Sequence, residues 1–133
     1  MGDGMNSVLI DTHVLLWWFQ GEHQLPAPVR NLVADPSVRV LVSAASAWEI
    51  AIKFKAGKLD AAEAVVSRFR SVMEDSGFLE LPVSTAHALR AGLLEFTHKD
   101  PFDRMLAAQA EIENLPILSN DKIFDKLSVR RIW

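Results

Sequence analysis

Short apolar runs of strand character, most of them followed by a stretch of helical period, are what most restricts the fold of this chain. Val8-Leu9-Ile10 is the first, and Val14 to Phe19 behind it has helical character. Val38 to Val42 is the second, apolar and mostly β-branched apart from Arg39. Ala47, Ile50, Ala51 and Phe54 then recur at i, i+3, i+4, i+7, and Gly57 supplies a stop. Phe78 to Val83, Pro116-Ile117-Leu118 and Val129 to Ile132 complete five candidate strands. Strands this short and apolar, alternating with helices, belong to parallel sheets covered on both faces. The expected fold is α/β: a three-layer α/β/α sandwich around a small, mostly parallel five-stranded sheet.

The remaining segments read as helices between those strands. Pro26 and Pro28 open one that carries Val29, Leu32 and Val33 on one face, and Asp35-Pro36-Ser37 is a turn. Asp60, with Glu63 three residues on, is a candidate cap for a helix that keeps its apolar period through Val65, Val66, Phe69, Val72 and Met73 to Gly77. Ser84 caps a helix running through Leu94, and Asp100-Pro101 opens another, rich in alanine. With no internal repeat, low-complexity run or linker, residues 1–133 are expected to form a single domain, 1–6 being a flexible N-terminal tail. That length supports one sizeable core without covalent staples.

Several chemistries are excluded by composition. The chain has no cysteine, which removes disulfides, thiolate metal sites and thiol nucleophiles. The apolar run at Val14 to Phe19 is far short of the ~20 residues a membrane span needs. Asp3 and Asp11 disrupt any secretory leader, so a cytoplasmic protein with no membrane contact is expected. Net charge is −3, from 14 basic and 17 acidic side chains, which disfavours nucleic-acid binding by phosphate neutralisation alone. Bound cations would reverse that sign locally.

The position of the acids therefore matters. Ligands of open α/β sheets bind beyond the carboxyl ends of the strands. Asp11 ends the first strand, Asp121 lies just past the fourth, Glu49 sits in the helix after the second, and Asp100 and Asp103 start the helix before strand four. Singly, each has an ordinary role: Asp11, Asp100 and Asp121 as helix caps, Asp103 as first-turn acid, Glu49 in a capping box with Ser46 or paired with Lys53. Jointly those roles fit less well. A helix start near Ser43 places Glu49 inside the helix among apolar neighbours, and Asp100-Pro101 completes one cap without Asp103. Carboxylates converging at one sheet edge repel each other, and a hard divalent cation removes that cost.

Four stretches resemble the motifs of PIN-domain nucleases, in order and over nearly the whole chain. They are Val8-Leu9-Ile10-Asp11-Thr12-His13-Val14-Leu15-Leu16, Ser43-Ala44-Ala45-Ser46-Ala47-Trp48-Glu49-Ile50, the helix start from Asp100 to Ala110, and Leu118-Ser119-Asn120-Asp121. Within that family the chain looks most like the VapC-type toxins of bacterial toxin–antitoxin pairs. The resemblance places the metal-binding, catalytic acids on Asp11, Glu49, Asp103 and Asp121, with Asp100 as an additional acid. Thr12, Ser43 and Ser119 become candidates for hydrogen-bonding those acids. His13 stands where many relatives carry a small polar residue, and Ser119, which keeps the hydroxyl, where threonine is common.

What the resemblance implies is an endoribonuclease using Mg²⁺ or Mn²⁺ that leaves 5′-phosphate and 3′-hydroxyl ends. It also implies an RNA substrate, a cognate antitoxin protein and a homodimer. The adjacent Trp17 and Trp18 cannot both face the core of one helix, and they offer interface surface. Two other readings stand beside it. One is a metal-free ribonuclease using some of His13, His23, His87 and His98; the other is a PIN-like module that binds RNA or protein without cutting.

Overall fold

The apolar residues of Asn6–Ile10 (β1) alternate between two cores. Val8 and Ile10 pack on one side of the sheet, and Leu9 faces the other. This strand is central in a sheet of order β3-β2-β1-β4-β5, where β2 is Val38–Ser43, β3 Leu79–Leu81, β4 Ile117–Leu118 and β5 Arg131–Ile132. Every strand pair is parallel. The computed structural model describes residues 6–21, 25–57, 62–95 and 99–133.

Helices cover both faces, so the three-layer architecture is as expected. On one face lie Thr12–Phe19 (α1) and Ala27–Ala34 (α2), together with Ile50 of Ala44–Lys55 (α3) and Val65 of Ala62–Ser67 (α4). Phe69–Ser76 (α5) adds Phe69 and Met73 at the margin. The opposite face carries Thr85–Leu93 (α6) and Pro101–Glu113 (α7). Ala107, Ala108 and Ala110 of α7 are almost fully buried; small side chains let this helix lie close to the strands. Ser43 caps α3, its Oγ accepting from the Ala45 N–H at 3.0 Å, so α3 begins where the strand end and apolar period place it.

Four features differ from expectation. The helix expected from Asp60 to Gly77 is two, α4 and α5, broken at Arg68. Its apolar period runs through the break, while Phe69 meets Phe19 edge-on at 5.5 Å and the Ser71 hydroxyl bonds the Arg68 carbonyl at 3.0 Å. Asp60 lies outside the described residues, as do 1–5 of the expected tail, whereas Asn6 is already strand, paired with Val38. A 3₁₀ turn at Lys122–Lys126, anchored by the fully buried Phe124, had no periodic signal. Trp17 and Trp18 are half-buried within the chain: Trp17 packs on Trp133, and Trp18 packs on Phe78 and donates to the Ser76 hydroxyl. The most exposed tryptophan is Trp48, at 63%.

Leu9 is fully buried at the centre of the second core, where little can collapse around a void. Leu9→Ala should lower the unfolding free energy by about 2–5 kcal/mol, read from the urea midpoint at unchanged m-value.

Candidate active site

Parallel pairing brings the carboxyl ends of β1, β2 and β4 to one edge. Leu9 pairs with Leu41 and Ile10 with Leu118, so Asp11 stands level with Ser43 on one side and Ser119 on the other. The Asp11 N–H donates to the Leu118 carbonyl at 3.0 Å, carrying the β1–β4 ladder one residue past the strand. After β3 the chain crosses to the far side of β1, so the sheet's topological switch point lies beside Asp11.

Asp11 is 2% exposed and occupies the N-cap position of α1, yet its side chain makes no capping hydrogen bond. Oδ2 accepts from the Ser119 hydroxyl at 2.6 Å, while Oδ1 is buried and has no hydrogen bond. Burial raises the Asp11 pKa above the ordinary carboxylate range. The Ser119 hydrogen bond and the nearby charge and N–H of His13 oppose that, and the like charge of Glu49 adds to it. A buried carboxylate oxygen that has the His13 N–H nearby but no formed hydrogen bond is costly.

Ser119 connects two acids. Besides donating to Asp11, its Oγ accepts from the Asp121 N–H at 3.0 Å. Asp121 is exposed and uses Oδ1 to cap the 3₁₀ turn through the Ile123 N–H at 3.0 Å. On the other side, Thr12 and Ser46 share a buried hydroxyl–hydroxyl bond of 2.8 Å, tying the start of α1 to α3. Ser46 is one helical turn before Glu49, on the same face. Glu49 is 4% exposed, and its Oε2 accepts from Lys53 Nζ at 2.8 Å.

At the start of α7, Asp100 is the N-cap, accepting from Phe102 N–H at 2.8 Å and Asp103 N–H at 3.2 Å. Asp103 follows in the first turn, half-buried. The Arg104 guanidinium bonds the last carbonyls of α6: Ala91 at 3.1 Å, Gly92 at 3.4 Å and Leu94 at 2.9 Å. It thereby pins the start of α7 to the end of α6. A cavity of about 260 Å³ between α3 and α7 is lined by Glu49, Lys53, Asp100 and Phe102, among others. Beyond Phe102, an apolar cavity of about 390 Å³ lies against Trp48, Ala45, Val83 and Met105.

Asp11, Ser119 and Asp121 are thus hydrogen-bonded together, with Glu49 within electrostatic reach of Asp11. The side chains do not form a closed cage: among the described residues, no group of three Asp, Glu or His stands close enough to hold an ion. The donor set nonetheless suits a hard cation, because an unbonded, buried carboxylate oxygen lies in its midst. In the sequence Ser46 reads only as a cap and Lys53 only as a helix-surface partner of Glu49. The signal for both was their one-turn spacing from Glu49.

An all-parallel sheet in this strand order, covered by helices on both faces, is the plan of a PIN domain. Residues 8–129 match the PIN domain family model, and the chain belongs to that family. A chain of the VapBC2 complex from Rickettsia felis, bound to a promoter DNA fragment, superposes with TM-score 0.68 at 14% identity, over 95% of this chain and 97% of that one. VapBC-1 from nontypeable Haemophilus influenzae gives 0.68 at 17%, over 95% and 96%. A toxin–antitoxin complex from Klebsiella pneumoniae gives 0.61 at 22%, over 86% and 87%. At these identities the likeness is one of fold. Ribonuclease VapC16 of Mycobacterium tuberculosis is 43% identical over 58 residues, 44% of this chain, and the match spans 41% of that protein.

The raised Asp11 pKa means the folded chain holds that proton more tightly than the unfolded one. Its stabilising share is present below the unfolded value and lost as pH rises through the folded one. Asp11→Asn should therefore raise the melting temperature of the metal-free protein, by more at about pH 7.5 than at about pH 4. Scanning calorimetry of both proteins at the two pH values measures it, and a lower melting temperature for the variant at both would contradict the burial argument.

Proposed function

We propose that this chain is a metal-dependent endoribonuclease of the VapC toxin type, cutting RNA phosphodiester bonds to 5′-phosphate and 3′-hydroxyl ends. The observation that carries this reading is the buried Asp11 carboxylate with one unbonded oxygen at the switch point, beside Ser119, Asp121 and Glu49. Asp11, Asp103 and Asp121 would hold Mg²⁺ or Mn²⁺ through carboxylate oxygens, with Glu49 joining directly or through water. When bound, the cation supplies Lewis acidity toward the phosphodiester and makes a water easier to deprotonate.

The chain's own groups do the positioning. Ser119 fixes one Asp11 oxygen and leaves the other for the site. The Thr12–Ser46 bond holds α3, and so Glu49, against the start of α1. Asp100 sets the first turn of α7 and with it the place of Asp103. No side chain is required as nucleophile. With a net charge of −3 and Arg104 turned to carbonyls, RNA binding leans on the cation rather than on a basic groove.

The histidine-based alternative is less well supported by the two histidines that are described. His87 has both ring nitrogens engaged, Nδ1 by the Ser84 N–H at 3.0 Å and Nε2 by Glu113 at 2.8 Å, and His13 is exposed. A non-cutting module would be expected to lack acids, and all four are present.

Partners follow from the same reading: a cognate antitoxin, as in the complexes above, and a second copy of the chain. Trp48, Leu89 and Leu93, exposed by 63%, 63% and 74%, and the apolar cavity beside Phe102 offer surface for such contacts. Light scattering of the purified chain should give a mass near twice 14.8 kDa. A mass near 14.8 kDa across the micromolar range would remove the homodimer.

The central test is cleavage of single-stranded RNA with Mg²⁺ or Mn²⁺. Chelation should stop it, and end mapping should find 5′-phosphates. Undiminished cutting in excess chelator with cyclic phosphate ends would favour the histidines instead. Asp103→Ala should lose at least about 100-fold in rate while staying folded. Asp100→Ala should lose about 1 kcal/mol of stability and keep partial activity, and Asp100→Ser should restore the stability. An active Asp103→Ala beside a stable, inactive Asp100→Ala would transfer the third acid's role to Asp100.

A further inference from the structure

Glu49 and Lys53 are four residues apart on α3, with Nζ 2.8 Å from Oε2. The carboxylate stands N-terminal to the ammonium, the favourable order for such a pair on a helix. The two ends of the bridge are unequal. The Glu49 side chain is 5% exposed and the Lys53 side chain 30%. A lysine head on a four-carbon stem can swing into water at little cost, whereas the buried carboxylate has no such exit. Lys53 is thus the mobile partner and Glu49 the fixed one.

Both line the same cavity between α3 and α7, at whose α7 wall Asp100 caps the helix that carries Asp103. Glu49 is also close enough to Asp11 for their charges to interact. A carboxylate oxygen bonded to an ammonium offers little of its lone-pair density to a metal ion. In the metal-free chain that oxygen already has an internal cation on it.

Resting on the metal-dependent reading above, we infer that Lys53 is a positioning residue that occupies Glu49 until a divalent cation displaces it. In the metal-free chain the ammonium neutralises a buried charge. On metal binding it moves to solvent and releases Oε2. Lys53 then sets the cation concentration at which Glu49 becomes available, and it does so through Glu49.

The test is Mn²⁺ binding to the full chain by isothermal titration calorimetry, with melting of the metal-free protein alongside. Lys53→Met keeps most of the aliphatic stem and removes the charge. It should lower the metal-free melting temperature and tighten the Mn²⁺ dissociation constant by about three- to tenfold. In a Glu49→Gln background the same change should leave Mn²⁺ affinity unaltered. Unchanged or weaker affinity in Lys53→Met would overturn the displacement. So would full tightening in the Glu49→Gln background, because Lys53 would then act on the ion by general repulsion. Should Lys53→Met fail to fold, Lys53→Gln, which removes the charge and leaves only a weaker donor to Glu49, should tighten Mn²⁺ binding in the same direction but by less, and no tightening would overturn the displacement. If neither the unaltered chain nor the variant binds Mn²⁺, the metal-dependent reading falls and takes this role of Lys53 with it. Binding that is normal in the unaltered chain and indifferent to Lys53 removes only the latter.

Discussion

A carboxylate at the carboxyl end of the central strand is withdrawn from water with only one of its oxygens bonded. Keeping such a group requires rigid surroundings, because any looseness would admit water or let the side chain turn outward. The parallel ladder supplies that rigidity on both sides, through β2 and β4. The Asp11 backbone is held by Leu118 and its side chain by Ser119, so β4 fixes it twice although only two residues long. Even the hydroxyl pair of Thr12 and Ser46 makes sense in this light, since it fastens the next helix to the turn that carries the acid.

The second support is the paired helices α6 and α7. One end is closed by Arg104 on the α6 carbonyls, and the other by His87, which bonds Ser84 in its own helix start and Glu113 in α7. Gln109 adds a bond to the Pro82 carbonyl at 3.2 Å, tying α7 to the segment after β3. Clamped at both ends, the two helices form a stiff slab across one face of the sheet. At the α7 start, Asp100 lines the cavity that Glu49 and Lys53 also line.

Much of this was written locally in the sequence. Apolar runs gave the strands, and cap residues with proline gave the starts of α3, α6 and α7, because those signals act over one or two turns. Asp11, Asp100 and Asp121 are legible for the same reason, since each stands at the start of a helix or turn. What was not legible depends on contacts made far along the chain. The apolar period of 62–73 does not reveal that Arg68 interrupts it, nor that Phe69 beside the break meets Phe19 of α1. The destinations of Trp17 and Trp18 required knowing that Trp133 and Phe78 would lie beside α1. That the planar, five-donor head of Arg104 meets a row of carbonyls depends on the docking of α6. Likewise, the Glu49–Lys53 spacing was visible, but its burial was not.

The hydrogen bond from Ser119 to Asp11 spans 108 residues of chain. On a ribosome, where synthesis runs at about 5–20 residues per second, Asp11 emerges many seconds before the residue that orients it. During that interval β1 lacks the partner that β4 supplies on one edge. Ser119 and Asp121, which complete the acidic edge, are among the last residues to be synthesised. A chain ending between Asn114 and Leu118 would contain the sequence of α1–α7 and the first acid, but neither Ser119 nor Asp121.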